Sequence, residues 1–231
     1  MATVALSGII TPTNVVTATS TTTLTNKTLT APTIASANLT TALTLAGAAG
    51  TNGQVLTSAG SGLPSWTTVA SGGLTLGTSV AATSGTSIDF TGIPAGTKQI
   101  FISFVAVSLS GSSHLLVQLG DAGGIETSDY IAQSVNLLNS TAISSVSSTS
   151  GFPMRLGVDG ERFHGIMTLI LEKSSTNYWV SSHIGRSETD NGKIGAGSKA
   201  LSATLDRVRI TTTNGTDTFD WSGAEINIAY Q

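Results

Sequence analysis

Two kinds of hydrophobic spacing divide this chain. In the front third, Leu24, Leu29, Ile34 and Leu39 stand five residues apart, with Thr, Asn, Ala and Ser between them. A five-residue step fits neither the 3.6-residue period of a helix nor the two-residue period of a strand. Short extended pieces separated by kinks would return those side chains to one side. Pro32 favours such kinks, because proline fixes φ and removes a ladder donor. One copy of this strip buries almost nothing. Three copies wound about an axis would place rings of Leu24, Leu29, Ile34 and Leu39 at the centre, with threonines outside. The spacing predicts an extended shaft that orders by packing against copies of itself, as repeat units do.

Past Gly72-Gly73 the pattern becomes an alternation with period two. Ile100, Ile102, Phe104 and Ala106 oppose Phe101, Val105 and Val107, which predicts a strand buried on both faces. Leu115, Val117 and Leu119 point away from His114 and Gln118. Phe163, Met167, Leu169 and Leu171 point away from Arg162, His164, Thr168 and Glu172. Val208 and Ile210 alternate with Arg207, Arg209 and Thr211, and Ile226, Ile228 and Tyr230 form a last strand. Turn signals separate these runs: Pro94-Ala-Gly96, Asp159-Gly160, Asn191-Gly192 and Asn214-Gly215. No long stretch sustains helical spacing. The prediction is an all-β chain whose residues 73–231 form an antiparallel, jelly-roll-like β-sandwich, long enough to bury a core.

Between the two patterns, residues 48–73 read as a connector of Gly-rich turns around one short strand, Gln54 to Thr57. Trp66 is the first large aromatic, and its expected role is to pack a junction.

Charge sharpens this division. The first 88 residues hold one charged side chain, Lys27, whereas all thirteen acidic residues lie between Asp89 and Glu225. A soluble chain averages about a quarter charged residues. The front third thus lacks both the charge of a solvated tail and the apolar mass of a core. Cysteine is absent, which removes disulfides and thiolate metal sites. A net charge of −3 with interspersed signs gives no basic stripe for nucleic acid. The start of the chain has no basic n-region, and no window approaches 18 apolar residues, so neither a signal peptide nor membrane insertion is expected. Synthesis in a cytoplasm follows.

Candidate chemistry is sparse. Gly120-Asp-Ala-Gly-Gly124 resembles the Gly-Asp-Ser-Gly-Gly signature of trypsin-like proteases, but Ala122 stands where the serine would be, so it reads as a turn. His114, His164 and His183 fall on separate strands without the i, i+2 or i, i+4 pairing of a metal site. Paired carboxylates for glycoside cleavage would have to meet in a cleft, and the acidic residues sit mainly in loops. No catalytic residue, metal or cofactor is predicted. The stretch Arg186-Ser-Glu-Thr-Asp-Asn-Gly-Lys193 reads either as a solvated loop or as a recognition loop on a rigid β scaffold. On the strand before it, Tyr178, Val180 and Ile184 share one face and Trp179, Ser181 and His183 the other. An outward Trp179 and His183 beside Arg186, Glu188 and Asp190 would suit a sugar or protein surface, or Trp179 would seal a subunit interface.

Several segments resemble bacteriophage tail-fibre proteins. Thr23-Leu-Thr-Asn-Lys-Thr-Leu-Thr-Ala-Pro-Thr-Ile34 is similar to a recurring element of those fibres. Gly50-Thr-Asn-Gly-Gln-Val-Leu-Thr-Ser-Ala-Gly-Ser-Gly-Leu-Pro-Ser-Trp66 resembles the linker before their distal domains. Gln118 to Tyr130 and Asp217 to Ile228 are similar to segments of fibre tips. The resemblance implies a homotrimer located in the virion. Residues 1–20 would attach to other virion proteins of the tail or baseplate, 21–72 would form shaft and connector, and 73–231 would form a head that meets a host glycan or protein. It transfers no catalytic motif, so a non-enzymatic adhesin is expected. The alternatives are a structural adaptor or head-decoration protein that binds other virion proteins, and a polysaccharide depolymerase.

Overall fold

The computed structural model describes residues 43–45, 48–60, 63–69, 72–137, 143–156, 158–188 and 192–231. The chain divides into two units, residues 1–70 and 71–231, two residues ahead of the boundary read from Gly72-Gly73. Segment 1–20 and the predicted axis residues Leu24, Leu29, Ile34 and Leu39 lie outside the described residues.

In the first unit, β1 (Thr44–Leu45) pairs with β2 (Ala48–Ala49), and β3 (Gln54–Thr57) pairs with β4 (Ser65–Thr68). The predicted strand is β3. Its partner Ser-Trp-Thr-Thr carries one apolar residue and so shows no alternation to read. Leu56 stands opposite Trp66. The indole lies over Gly50, where a Cβ would come 2.6 Å from the ring, so Trp66 packs within its own unit.

The second unit contains β5 (Thr75–Leu76), β6 (Val80–Ala81), β7 (Ser87–Thr91), β8 (Gln99–Val107), β9 (Leu115–Asp121), β10 (Gly124–Ile125) and β11 (Ile131–Leu137). It continues with β12 (Ser144–Ser148), β13 (Phe152–Met154), β14 (Phe163–Lys173), β15 (Tyr178–Ser187), β16 (Gly192–Ala200), β17 (Arg207–Thr212) and β18 (Glu225–Tyr230). Among the described residues the one helical element is a 3-10 turn at Ser174–Thr176.

All pairing is antiparallel. A large sheet runs β12-β11-β16-β15-β14-β8-β18-β5, with β6 also on β18, and a small sheet runs β10-β9-β17-β7, with β13 also on β9. The chain crosses repeatedly from one sheet to the other, and the inward residues of both make one core. Ile102, Phe104, Met167 and Ile226 of the large sheet join Val117, Leu119, Phe152 and Ile210 of the small one. Each such side chain contributes about 1.5–3 kcal/mol by leaving water. Aromatic edges lock the two ends of this core. Phe104 meets Phe163 at 5.7 Å and Tyr130 meets Phe152 at 5.0 Å between ring centroids.

Two expectations about burial are corrected. β8 is not buried on both faces, because Ile100, Ile102 and Phe104 are inside while Val105 is 49% exposed. Val107 returns to the core through a bulge: Ala106 takes a positive φ of 51°, and the pairing with β14 skips between Phe163 and Gly165. The strand buried on both faces is β9. Its second face is covered by the chain before β13, where Gln118 Nε2 donates to Ser150 O at 2.9 Å.

The other correction is to β15. Its alternation is as read, but with the faces exchanged. Trp179 (2% exposed), Ser181 and His183 (5%) point into the sandwich, while Val180 and Ile184 point out. An indole and an imidazole removed from solvent in this way do not form a host-contact surface on this chain. Both faces of β15 carry apolar residues, so periodicity could fix the two sets of side chains but not which set faces the core. Close packing decides it. Gly195 stands opposite His183, and a Cβ there would collide with the imidazole ring. A strand glycine commonly marks such a close approach.

Candidate functional site

The antiparallel pairing brings the start of β14, the end of β15 and the start of β18 to one end of the sandwich. His164 stands opposite Arg186, and Val105 opposite Glu225. The loop before β14 supplies Arg162, and the residue after β15 is Glu188. The turn before β18 supplies Trp221, tied back by the Ala224 N–H donating to Trp221 O at 3.1 Å. Buried Phe219 anchors that turn through a bridge to Leu109.

These side chains form one half-exposed cluster. The Arg162 guanidinium lies over the Trp221 ring, 4.1 Å from its centroid, a cation–π contact. Arg162 also forms an ion pair with Glu188, and the Glu188 N–H donates to Arg162 O at 3.3 Å. His164 Nδ1 accepts from the Ala106 N–H at 3.3 Å. The ring proton therefore sits on Nε2, which faces Glu188 Oε1 at 3.5 Å. The bulge at Ala106 thus does local work, since it aims a backbone donor at His164. Trp221 keeps 41% of its surface exposed. Opposite His164 in the β14–β15 register, the exposed Arg186 donates from Nε to Ser187 O at 3.2 Å.

Of the five residues singled out in the sequence, Glu188 belongs to this cluster and Arg186 stands opposite its His164. Trp179 and His183 lie on the inner face, and Asp190 is outside the described residues. The exposed aromatic is Trp221, which alternation could not find because it sits in a turn. An exposed indole flanked by a guanidinium, a carboxylate and an imidazole can stack on an apolar ring face while its neighbours bond hydroxyl or amide groups.

His183 belongs to a second, interior polar group. Lys193, fully buried, pairs with buried Glu161 at 2.7 Å and reaches Asn136 Oδ1 at 3.5 Å. His183 Nε2 and Ser134 Oγ are 3.1 Å apart, and Ser134 Oγ accepts from the Arg155 N–H at 3.1 Å. Burial pushes the His183 pKa down to about 4. His114 is lowered as well, by burial and then by Arg155.

Two carboxylates meet where the β9–β10 hairpin contacts the loop after β16. Ser202 donates from Oγ to Asp121 Oδ2 and from its backbone N–H to Glu126 Oε1, both at 2.7 Å. The Ser202 hydroxyl, chief among several bonds, lowers the Asp121 pKa. Burial alone would raise that of Glu126, but the bond from Lys199, backed by Ser202, outweighs it and the net shift is downward. Both are held as anions, so neither is poised as a proton donor. They tie the hairpin to the loop, and Gly120–Gly124 is the turn of that hairpin, closed by the Gly123 N–H on Asp121 Oδ1 at 2.8 Å. Among the described residues no group of three His, Cys, Asp or Glu side chains could hold a metal ion, and no helix is long and apolar enough to cross a membrane.

No protein-family model, curated protein or solved structure matches this chain.

Proposed function

We propose that this chain is a bacteriophage tail-fibre protein, a homotrimer that attaches the virion to the host cell surface through its C-terminal unit. Residues 1–20 would dock on other virion proteins and 21–72 would form shaft and connector. The observation that carries the reading is the placement of the Trp221 cluster. The unit's first strand, β5, pairs with Ala229 and Tyr230 at the far end of β18. The chain therefore enters at the end of the sandwich opposite Trp221, Arg162 and Glu188, and the cluster occupies the end suited to a tip. The crossings support the expected jelly roll. On that reading the orders β13-β9-β17-β7 and β12-β11-β16…β8 would be its two sheets, with the β14–β16 meander in place of one strand. Three modest sites per fibre, and several fibres per particle, raise avidity through effective concentration.

The test is competition of full-length protein with virions for host cells. Because aromatic and arginine anchors dominate recognition surfaces, Trp221→Ala with Arg186→Ala is expected to weaken competition about 10-fold or more. Unchanged competition overturns the assignment of the tip. Full-length protein that ignores host cells but binds other virion proteins identifies the structural adaptor instead.

A further inference from the structure

The outer face of the large sheet does not look like a surface made for water. An antiparallel sheet with one solvated face normally alternates apolar-in and polar-out. Here the outer face itself carries rows of apolar side chains. Paired registers align Ile166, Ile184, Ile194 and Val135 in one outward row across β14, β15, β16 and β11. A second row runs Ile170, Val180, Ser198 and Ile131 over the same strands. Between them lie Thr168, Ser182, Ala196 and Gln133. Ile184 is 63% exposed and Ile131 75%. Charge is confined to the margins of this region, with His164 and Arg186 at one end and Glu172 at the other.

The small sheet shows the ordinary arrangement. On its outer face Arg209 of β17 stands opposite Asp89 of β7 and grips it with two bonds of 2.7 Å. Among the described residues no exposed large aliphatic lies on a strand of the small sheet, whereas Val105, Ile131, Leu137, Ile166, Ile170, Val180, Ile184 and Ile194 all lie on the large one.

From this contrast we infer that the outer face of the large sheet is buried against other copies of this same chain. Two observations select a second copy over another partner. The face carries no charge in its centre, so copies meet without repulsion and need no complementary partner. Its extent also fits: the seven strands from β12 to β18, five to eleven residues long, lie about 4.8 Å apart and average about 25 Å, so they span on the order of 800 Å². A stable specific interface removes about 800 Å² from each partner, and exposed apolar patches of that size mark interaction sites. The face is corrugated as well. Grooves of about 680 Å³ beside Ile131, Gln133 and Ser147 and about 380 Å³ beside Val135 and Ile194 can receive side chains of a neighbour. The three-fold number of copies rests on the fibre reading, but the use of this face does not.

Because the chain has no cysteine, a single thiol can report on each face of the full-length protein. Ser182→Cys lies in the middle of the large sheet's outer face, and Ser87→Cys lies on the exposed outer face of the small sheet. With maleimide at micromolar protein, the thiol of Ser182→Cys is expected to react at least about 10-fold more slowly than that of Ser87→Cys, since reactivity follows access. Light scattering on the same samples should give an oligomeric mass. Adding Ile184→Lys to Ser182→Cys should raise its rate to that of Ser87→Cys. Equal rates for the two single variants overturn the inference. So does slow reaction at monomer mass, which would mean that the chain covers its own face. The fibre reading fails separately, if oligomeric protein with a protected thiol does not compete for host cells.

Discussion

The large sheet has two inner halves built on one period and filled with opposite chemistry. Along β8, β14 and β18 the inward side chains are Ile100, Ile102, Phe104, Met167, Leu169, Ile226 and Ile228. Along β15, β16 and β11, Trp179 and Ala132 are joined by the mainly polar set Ser181, His183, Lys193, Lys199, Ser134 and Asn136. Both halves are closed to water. The first gains stability from any well-fitted apolar set of the right volume. The second is stable only while each polar group keeps its partner, because an unpaired group in a low dielectric costs its full desolvation. Nearness to the core is thus compatible with two regimes, one tolerant and one demanding, and substitution should separate them.

The largest effect is expected at the buried ion pair. Glu161→Gln leaves the Lys193 ammonium, 0% exposed, without its counter-charge, and removing one partner of a buried pair costs about 3–5 kcal/mol. Replacing both, Glu161→Leu with Lys193→Met, should recover most of that loss, since an apolar pair of similar volume is often neutral. Urea unfolding of the three proteins at pH 7.5 measures both. A single variant that loses under about 1 kcal/mol would show that the pair does not hold this half together.

The next effect is acid sensitivity confined to the polar half. His183 titrates near 6.5 when unfolded and near 4 when buried. Its folded pKa is depressed, so the stability it contributes is complete above pH 6.5. That contribution falls away as the unfolded chain takes up a proton that the folded chain refuses, and the window runs from about 6.5 down to about 4. A separation of that size corresponds to roughly 3 kcal/mol by pH 4. His114, lowered mainly by burial, acts with the same sign. His183→Gln, which can still bond Ser134, should flatten the urea midpoint between pH 6.5 and 4.5 relative to the parent. Parallel pH profiles for the two proteins would remove His183 as the cause.

Much of this plan was legible in the sequence, for reasons the two halves make plain. In the dry half, apolar residues face polar ones at period two, and β14, β17 and β18 were read with the correct inward sets. In the polar half the same reading failed. Lys193, within a charged stretch beside Asn-Gly, read as part of a loop, yet it is the second residue of β16 and enters the interior. Its partner Glu161 follows a turn signal and gave no sign of burial. For Trp179 and His183, polarity and periodicity conflicted, and a face of Val180 and Ile184 proved to be the outer one. Hydrophobic pattern locates the core only where a single face is hydrophobic. On β15 the outer face is apolar too, so the pattern reported two destinations where one was assumed. Trp221 and Arg162 come together across loops, a juxtaposition no periodicity encodes.

The smallest expected effect sharpens the comparison from outside. Arg209 and Asp89 make a bidentate pair with bonds of 2.7 Å, as short as the Lys193–Glu161 contact, but their side chains are 36% and 38% exposed. Water and salt solvate either charge when the other is removed, so no buried ion is stranded. Pairs of this kind contribute about 0.2–1 kcal/mol, and screening reduces that further as ionic strength rises. Asp89→Asn should therefore cost less than about 1 kcal/mol in low salt, and less again in 1 M sodium chloride. Glu161→Gln should lose nearly the same amount in both, because salt does not reach a buried pair. If Asp89→Asn proves as costly as Glu161→Gln, or if added salt erases the cost of Glu161→Gln, burial is not what separates the two pairs, and the demanding character of the polar half would need another cause.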